Sequence, residues 1–158
     1  MFIDKKGRYY EGDRQSDDDK VVDRKPSDAS IYDGTGWVTD LNAVRLSQIS
    51  IIKSGFDAAV NSPVTSSALG APHTYSNSLE SRSFLNNLLA LNVAGKFTCI
   101  NQAGIKPRRD HTKAQLLQVA QDIYTAIEAK FVQFEALENQ VNAAPNETLI
   151  KAITWPAP

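Results

Sequence analysis

The sequence predicts an α+β chain: two shorter helices and one long helix with small β-hairpins, preceded by an extended or β-rich N-terminal arm. Three observations point there. Leu116, Ala120, Ile123, Ile127, Phe131, Phe134, Leu137 and Val141 recur at steps of three or four, the period of a single helical stripe. Short β-prone pieces in the middle of the chain are set off by glycine and proline. Residues 1–39 have no helical period, and their acidic and basic side chains are interleaved among glycines.

In the arm, Arg8-Tyr9-Tyr10 and Lys20-Val21-Val22 read as short strands, and Asp33-Gly34-Thr35-Gly36 reads as a tight turn into Trp37-Val38. The segment has too few apolar residues for a core of its own. Two expectations follow: an arm ordered by a neighbouring protein, which is preferred, or a small β layer.

Asp40 is placed to cap a helix running to about Asn61, with Leu41, Val44, Ile49, Ile52, Phe56 and Val60 on its apolar face and Pro63 at its end. Residues 64–76 form two extended pieces around Gly70-Ala71-Pro72. Asn77 with Glu80 then reads as a second cap, opening a helix that carries Leu79, Leu85, Leu88 and Leu89 and stops at Gly95. A hairpin is expected from Lys96–Ile100 and Ile105–Pro107 around Asn101-Gln102-Ala103-Gly104. Thr112 and Gln115 have the spacing of a capping box and start the long helix. Asn146 caps a short helix through Lys151, and Ala152–Trp155 reads as a closing strand.

The long helix cannot stand alone, because ordering it costs more than its own stripe returns on burial. Leu116, Ile123, Ile127, Phe131, Phe134 and Leu137 are its packing seam. An intrachain core is the plainer expectation, and a homo-oligomer joined along the seam is the alternative. In the second case Ile127→Asp or Phe131→Asp gives soluble monomer.

With 158 residues and a net charge of −1, the chain fits one domain, or an arm (1–39) plus a helical domain (40–158), and it has no global field to attract nucleic acid or a membrane surface. The single Cys99 cannot form an internal disulfide. No apolar run is long enough for a membrane span, and the first residues lack a signal-peptide core, so synthesis in the cytosol is expected.

Candidate chemistry is sparse. His111 beside Asp110, with Cys99 a hairpin away, is better read as helix entry than as a Cys/His nucleophile. Asp17-Asp18-Asp19 lacks the alternating ligands of a calcium loop and reads as a solvated acidic turn. Lys106, Arg108, Arg109, Lys96 and Lys113 make a basic cluster without interleaved aromatics, as at a hairpin end or a docking site for an acidic partner. His73 reads as a loop residue. No catalytic residue, metal site or cofactor is expected. Tyr9, Tyr10, Tyr32 and Trp37 are the candidate partner-binding residues, since aromatics bury large areas with few torsions to freeze. Packing within the arm is an equal reading of them.

One ordered set of pieces is distinctive: a helix, then Pro72-His73-Thr74-Tyr75-Ser76-Asn77 with Ser81-Arg82, the hairpin Phe97-Thr98-Cys99 to Gly104, His111-Thr112 with Gln115-Leu116, Val119 and Asp122, and Ala152-Ile153-Thr154-Trp155. From Asp40 to Trp155 the chain resembles an uncharacterised domain family of tailed-bacteriophage and prophage proteins from the tail-fibre and baseplate region. The resemblance covers about three quarters of the sequence. It implies a non-enzymatic structural protein of the virion tail, with other phage tail, baseplate or fibre subunits as partners. Outside that match, Tyr9-Tyr10-Glu11-Gly12-Asp13 resembles N-terminal modules of phage fibre-region proteins. The alternative is a tail-fibre assembly chaperone that does not stay in the particle.

Overall fold

A computed structural model describes residues 1–156; the last two residues of the 40–158 segment lie outside the described residues. Five short strands come first: β1 (Phe2–Ile3), β2 (Tyr9–Tyr10), β3 (Lys20–Val21), β4 (Ser30–Tyr32) and β5 (Trp37–Thr39). They form a three-stranded antiparallel sheet in the order β2-β1-β3 and a separate β4-β5 hairpin. Of the two expectations for residues 1–39, the β-rich one is therefore observed.

Helix α1 (Leu41–Val60) starts where expected. The Asp40 side chain accepts from the amides of Asn42 (2.9 Å) and Ala43 (3.2 Å), two of the donors a helix start leaves free. The hairpin of β6 (Val64–Ser66) and β7 (His73–Tyr75) follows, with His73 buried in a strand and not in a loop.

Helix α2 (Leu79–Ala90) departs from expectation at both ends. Ser78, not Asn77, is its cap. Asn77 is buried and donates Nδ2 to the carbonyl of Val60 (2.5 Å), tying the end of α1 to the entry of α2. The helix stops at Leu91–Asn92, before Gly95. Asn92 has φ 55°, the amide of Asn92 bonds Leu89 O (3.0 Å), and the amide of Val93 bonds Leu88 O (3.3 Å). That pair of reverse bonds is a Schellman closure with asparagine in the usual glycine position. Gly95 instead opens β8, where a Cβ would lie 2.9 Å from a Leu88 methyl.

Strands β8 (Gly95–Thr98) and β9 (Arg108–His111) pair in a longer hairpin than the expected 96–107. Asp110 and His111 thus belong to a strand. Asn101 shapes the intervening turn by accepting from the amides of Ala103 and Ile105. A reciprocal bridge between Thr74 and Ile100, 2.8 Å in each direction, joins the two hairpins.

Helix α3 (Lys113–Ala143) is the long helix, and both arms of the Thr112–Gln115 capping box are formed. Its seam is divided between two cores. Leu116, Val119 and Ile123 pack with Tyr75, Leu85, Phe97 and Cys99, with Ala120 and Ile127 against them. Farther along, Phe134, Leu137 and Val141 meet Val44, Ile52, Ala144 and Ile150. Between the cores Phe56 holds Phe131 and Phe134 at ring-centroid distances of 4.9 and 5.1 Å. Leu116, Ile123, Ile127, Phe134 and Leu137 therefore face this chain's own core, and Phe131 is split between core and solvent.

Helix α4 (Glu147–Ala152) is capped by Asn146. Among the described residues no closing strand follows it. Ile153 is extended but unpaired; its carbonyl accepts from buried Gln48 of α1 (2.7 Å), and Trp155 packs on Phe56 at 6.0 Å. Trp155 lies so close over Gly55 that a Cβ there would fall 2.5 Å from the Trp155 Cβ.

Candidate docking site

The arm is organised by its rings. Tyr9 from the three-stranded sheet meets Trp37 from the hairpin edge-on at 5.3 Å, and Tyr32 meets the same indole at 5.6 Å. The indole N–H donates to the carbonyl of Asp23 (3.0 Å), so Trp37 is held from both sides. Tyr9 donates its hydroxyl to Glu11 (2.8 Å). Burial, and then this carboxylate, push the Tyr9 phenol above its usual range. Tyr9, Tyr32 and Trp37 are each half-buried, packed on one another and still partly open to solvent.

Tyr10 is not part of this cluster. It stacks on Phe2 at 5.5 Å and donates to Asp19 (2.6 Å), which also accepts from the amide of Ser16 (2.7 Å). Of the acidic run, Asp19 is thus a buried structural acceptor, not a solvated turn residue, whereas Asp18 lies at the surface beside Lys5. At the turn of the second hairpin, the Asp33 carboxylate accepts from the amides of Thr35 and Gly36 and from the Thr35 hydroxyl. These bonds, led by the Thr35 amide, hold its carboxyl below the usual range.

The arm is tied to the helical part near residues 29–40. The amide of Asp40 bonds Ala29 O (2.5 Å), Ala29 leans on the second core, and the Thr39 hydroxyl reaches Glu147 at 3.4 Å. Val21 is exposed on β3, and the Ile31–Val38 pair is exposed on the face of the hairpin opposite Tyr32 and Trp37. A half-buried ring cluster on short edge strands is a surface suited to protein contact.

The Cys99/His111 region is built differently. The Nδ1–H of His111 donates to Arg109 O (2.9 Å), since a carbonyl can only accept; in the neutral ring Nε2 then accepts from the Tyr75 hydroxyl (3.0 Å). Tyr75, Cys99 and His111 are all buried in the first core. Burial pushes the Cys99 thiol up and drives the Tyr75 phenol far above its usual range, with Cys99 adding to the latter. A thiol kept protonated and away from solvent is a packing group, not a nucleophile. His111, expected as part of the helix entry, instead ends β9, one residue before the Thr112 cap; its buried partner Tyr75, 36 positions earlier, carries no sequence signal.

In the basic cluster, Arg108 lies over the ring of Phe84 at 5.6 Å and donates to Lys96 O (3.1 Å), while Lys96 faces Asp110 at 3.8 Å. Among the described residues no group of three His, Cys, Asp or Glu side chains is placed to hold a metal ion, and no helix is long and apolar enough to cross a membrane.

No family model, curated protein or solved structure matches the chain. The fold and the ring cluster describe an α+β protein with a β-rich arm.

Proposed function

We propose that the protein is a structural component of a bacteriophage tail, made in the host cytoplasm and retained in the virion, whose arm attaches it to a neighbouring baseplate or fibre subunit. One observation carries this reading: Tyr9, Tyr32 and Trp37 form a half-buried ring cluster on an arm that meets its own helical part through Ala29, Thr39 and Asp40. Aromatic anchors with part of each ring open to solvent are what interface hot spots are made of. The resemblance of residues 40–155 to tail-fibre and baseplate-region proteins supplies the setting. The helical part serves as a rigid body that the arm ties into place.

The test is quantitative mass spectrometry of purified particles. Stoichiometric presence of the wild-type protein, and its loss on Trp37→Ala with the helical part still folded, is the expected result. Abundance in the infected cell with absence from particles would overturn it in favour of an assembly chaperone.

A further inference from the structure

The seam of α3 faces inward, yet the helix has a second apolar line. Leu117, Tyr124 and Phe131 are 51%, 63% and 45% exposed and lie seven residues apart. A strict seven-residue step keeps side chains on one flank with a drift of only about 20° per step, the spacing at which two helices pair along a shallow left-handed seam. We propose that a second copy of this chain packs antiparallel on this flank, with the two-fold axis at Tyr124.

Charge and level both choose that arrangement. At about 1.5 Å per residue, Leu117 and Phe131 stand about 10 Å to either side of Tyr124, so a two-fold axis there sets Leu117 of one copy level with Phe131 of the other. Lys113 and Glu135 are equally spaced about Tyr124, are both exposed, and lie on the same flank. Antiparallel pairing sets each Lys113 opposite a Glu135; parallel pairing would set Lys113 against Lys113, Glu128 against Glu128 and Glu135 against Glu135. Like charges held level are disfavoured, and opposite charges fix register. Beside Leu117, moreover, Leu88, Leu89 and Val93 help line a mainly apolar groove of about 270 Å³ between α2 and α3. In the proposed dimer that groove is level with the partner copy's Phe131 ring.

The dimer does not depend on the arm's docking role, because it is read from molecular mass and not from incorporation into particles. Sedimentation of the full-length protein at micromolar concentration should give twice the chain mass. Tyr124→Asp should give a folded monomer with unchanged helical circular dichroism, since the side chain is mostly in solvent. Lys113→Glu should raise the dimer Kd about tenfold through two repelling pairs, with Lys113→Glu/Glu135→Lys restoring it. Tyr124→Cys should cross-link to itself on oxidation. Leu117→Cys should not, except when mixed with Phe131→Cys. A monomeric wild-type protein would overturn the proposal, as would self-cross-linking of Leu117→Cys, which marks a parallel pair.

Discussion

Gly55 is where a single atom decides most. In an exposed helix interior, glycine to alanine stabilises by about 1 kcal/mol. Here the added Cβ meets Trp155 at 2.5–2.6 Å, so the sign should reverse. Gly55→Ala is expected to cost about 2 kcal/mol in denaturant unfolding. Combined with Trp155→Gly, which removes the clashing Cβ as well as the ring, the same change should become neutral or favourable, a coupling that a double-mutant cycle reads directly. Tyr75→Phe is a second residue-scale test. It removes one hydroxyl and leaves the buried Nε2 of His111 without a donor, so a loss of about 1–3 kcal/mol is expected. Neither residue advertises its role in sequence: a glycine inside a helical pattern reads as a mild defect, and a tyrosine in a short strand as ordinary β-preference. Their partners are distant along the chain.

At the scale of elements, α3 was largely legible. The capping box at Thr112–Gln115 and the stripe from Leu116 to Val141 are local patterns, and both take the expected form. Thr112→Ala should lower the stability by about 1 kcal/mol, measured by thermal unfolding. Ile127 packs against the first core, so Ile127→Asp should lose the cooperative unfolding transition and not release a monomer from an oligomer. Two other boundaries failed for one reason. The N-cap of α2 and the strand expected at Ala152–Trp155 were judged from neighbours in sequence. In the fold, Asn77 is claimed by the Val60 carbonyl and the Ile153 carbonyl by Gln48. A polar side chain with a choice of partners goes to the buried one, where an unpaired group costs most.

For the whole molecule, pH tests the two parts separately. The Tyr75 phenol titrates far higher when folded than when unfolded, because burial disfavours its charged form. A raised folded value gives stability that is complete below the unfolded value and lost as pH climbs past it. The helical part should therefore lose stability above about pH 10, with Tyr75→Phe showing the smaller loss. Asp33 has the opposite sign: its depressed carboxyl stabilises the arm hairpin at neutral pH, and that contribution fades as pH falls below the usual carboxylate range. Trp37 fluorescence in a Trp155→Phe background should follow this loss, and Asp33→Ala should weaken the acid dependence, the remainder coming from Asp4, whose carboxyl is also held low by the Arg8 amide.

By itself the sequence determined the α+β class, the long capped helix and the Asp40 helix start, because capping and periodicity act over three or four residues and need no distant partner. Only the tertiary structure decided how the α3 seam is shared between two cores, that Tyr9, Tyr32 and Trp37 meet while Tyr10 pairs with Asp19, and that Gly55 makes room for Trp155. Those outcomes rest on contacts between residues far apart in the chain. There, shape and the cost of leaving a buried polar group unpaired select among partners that local pattern leaves equivalent.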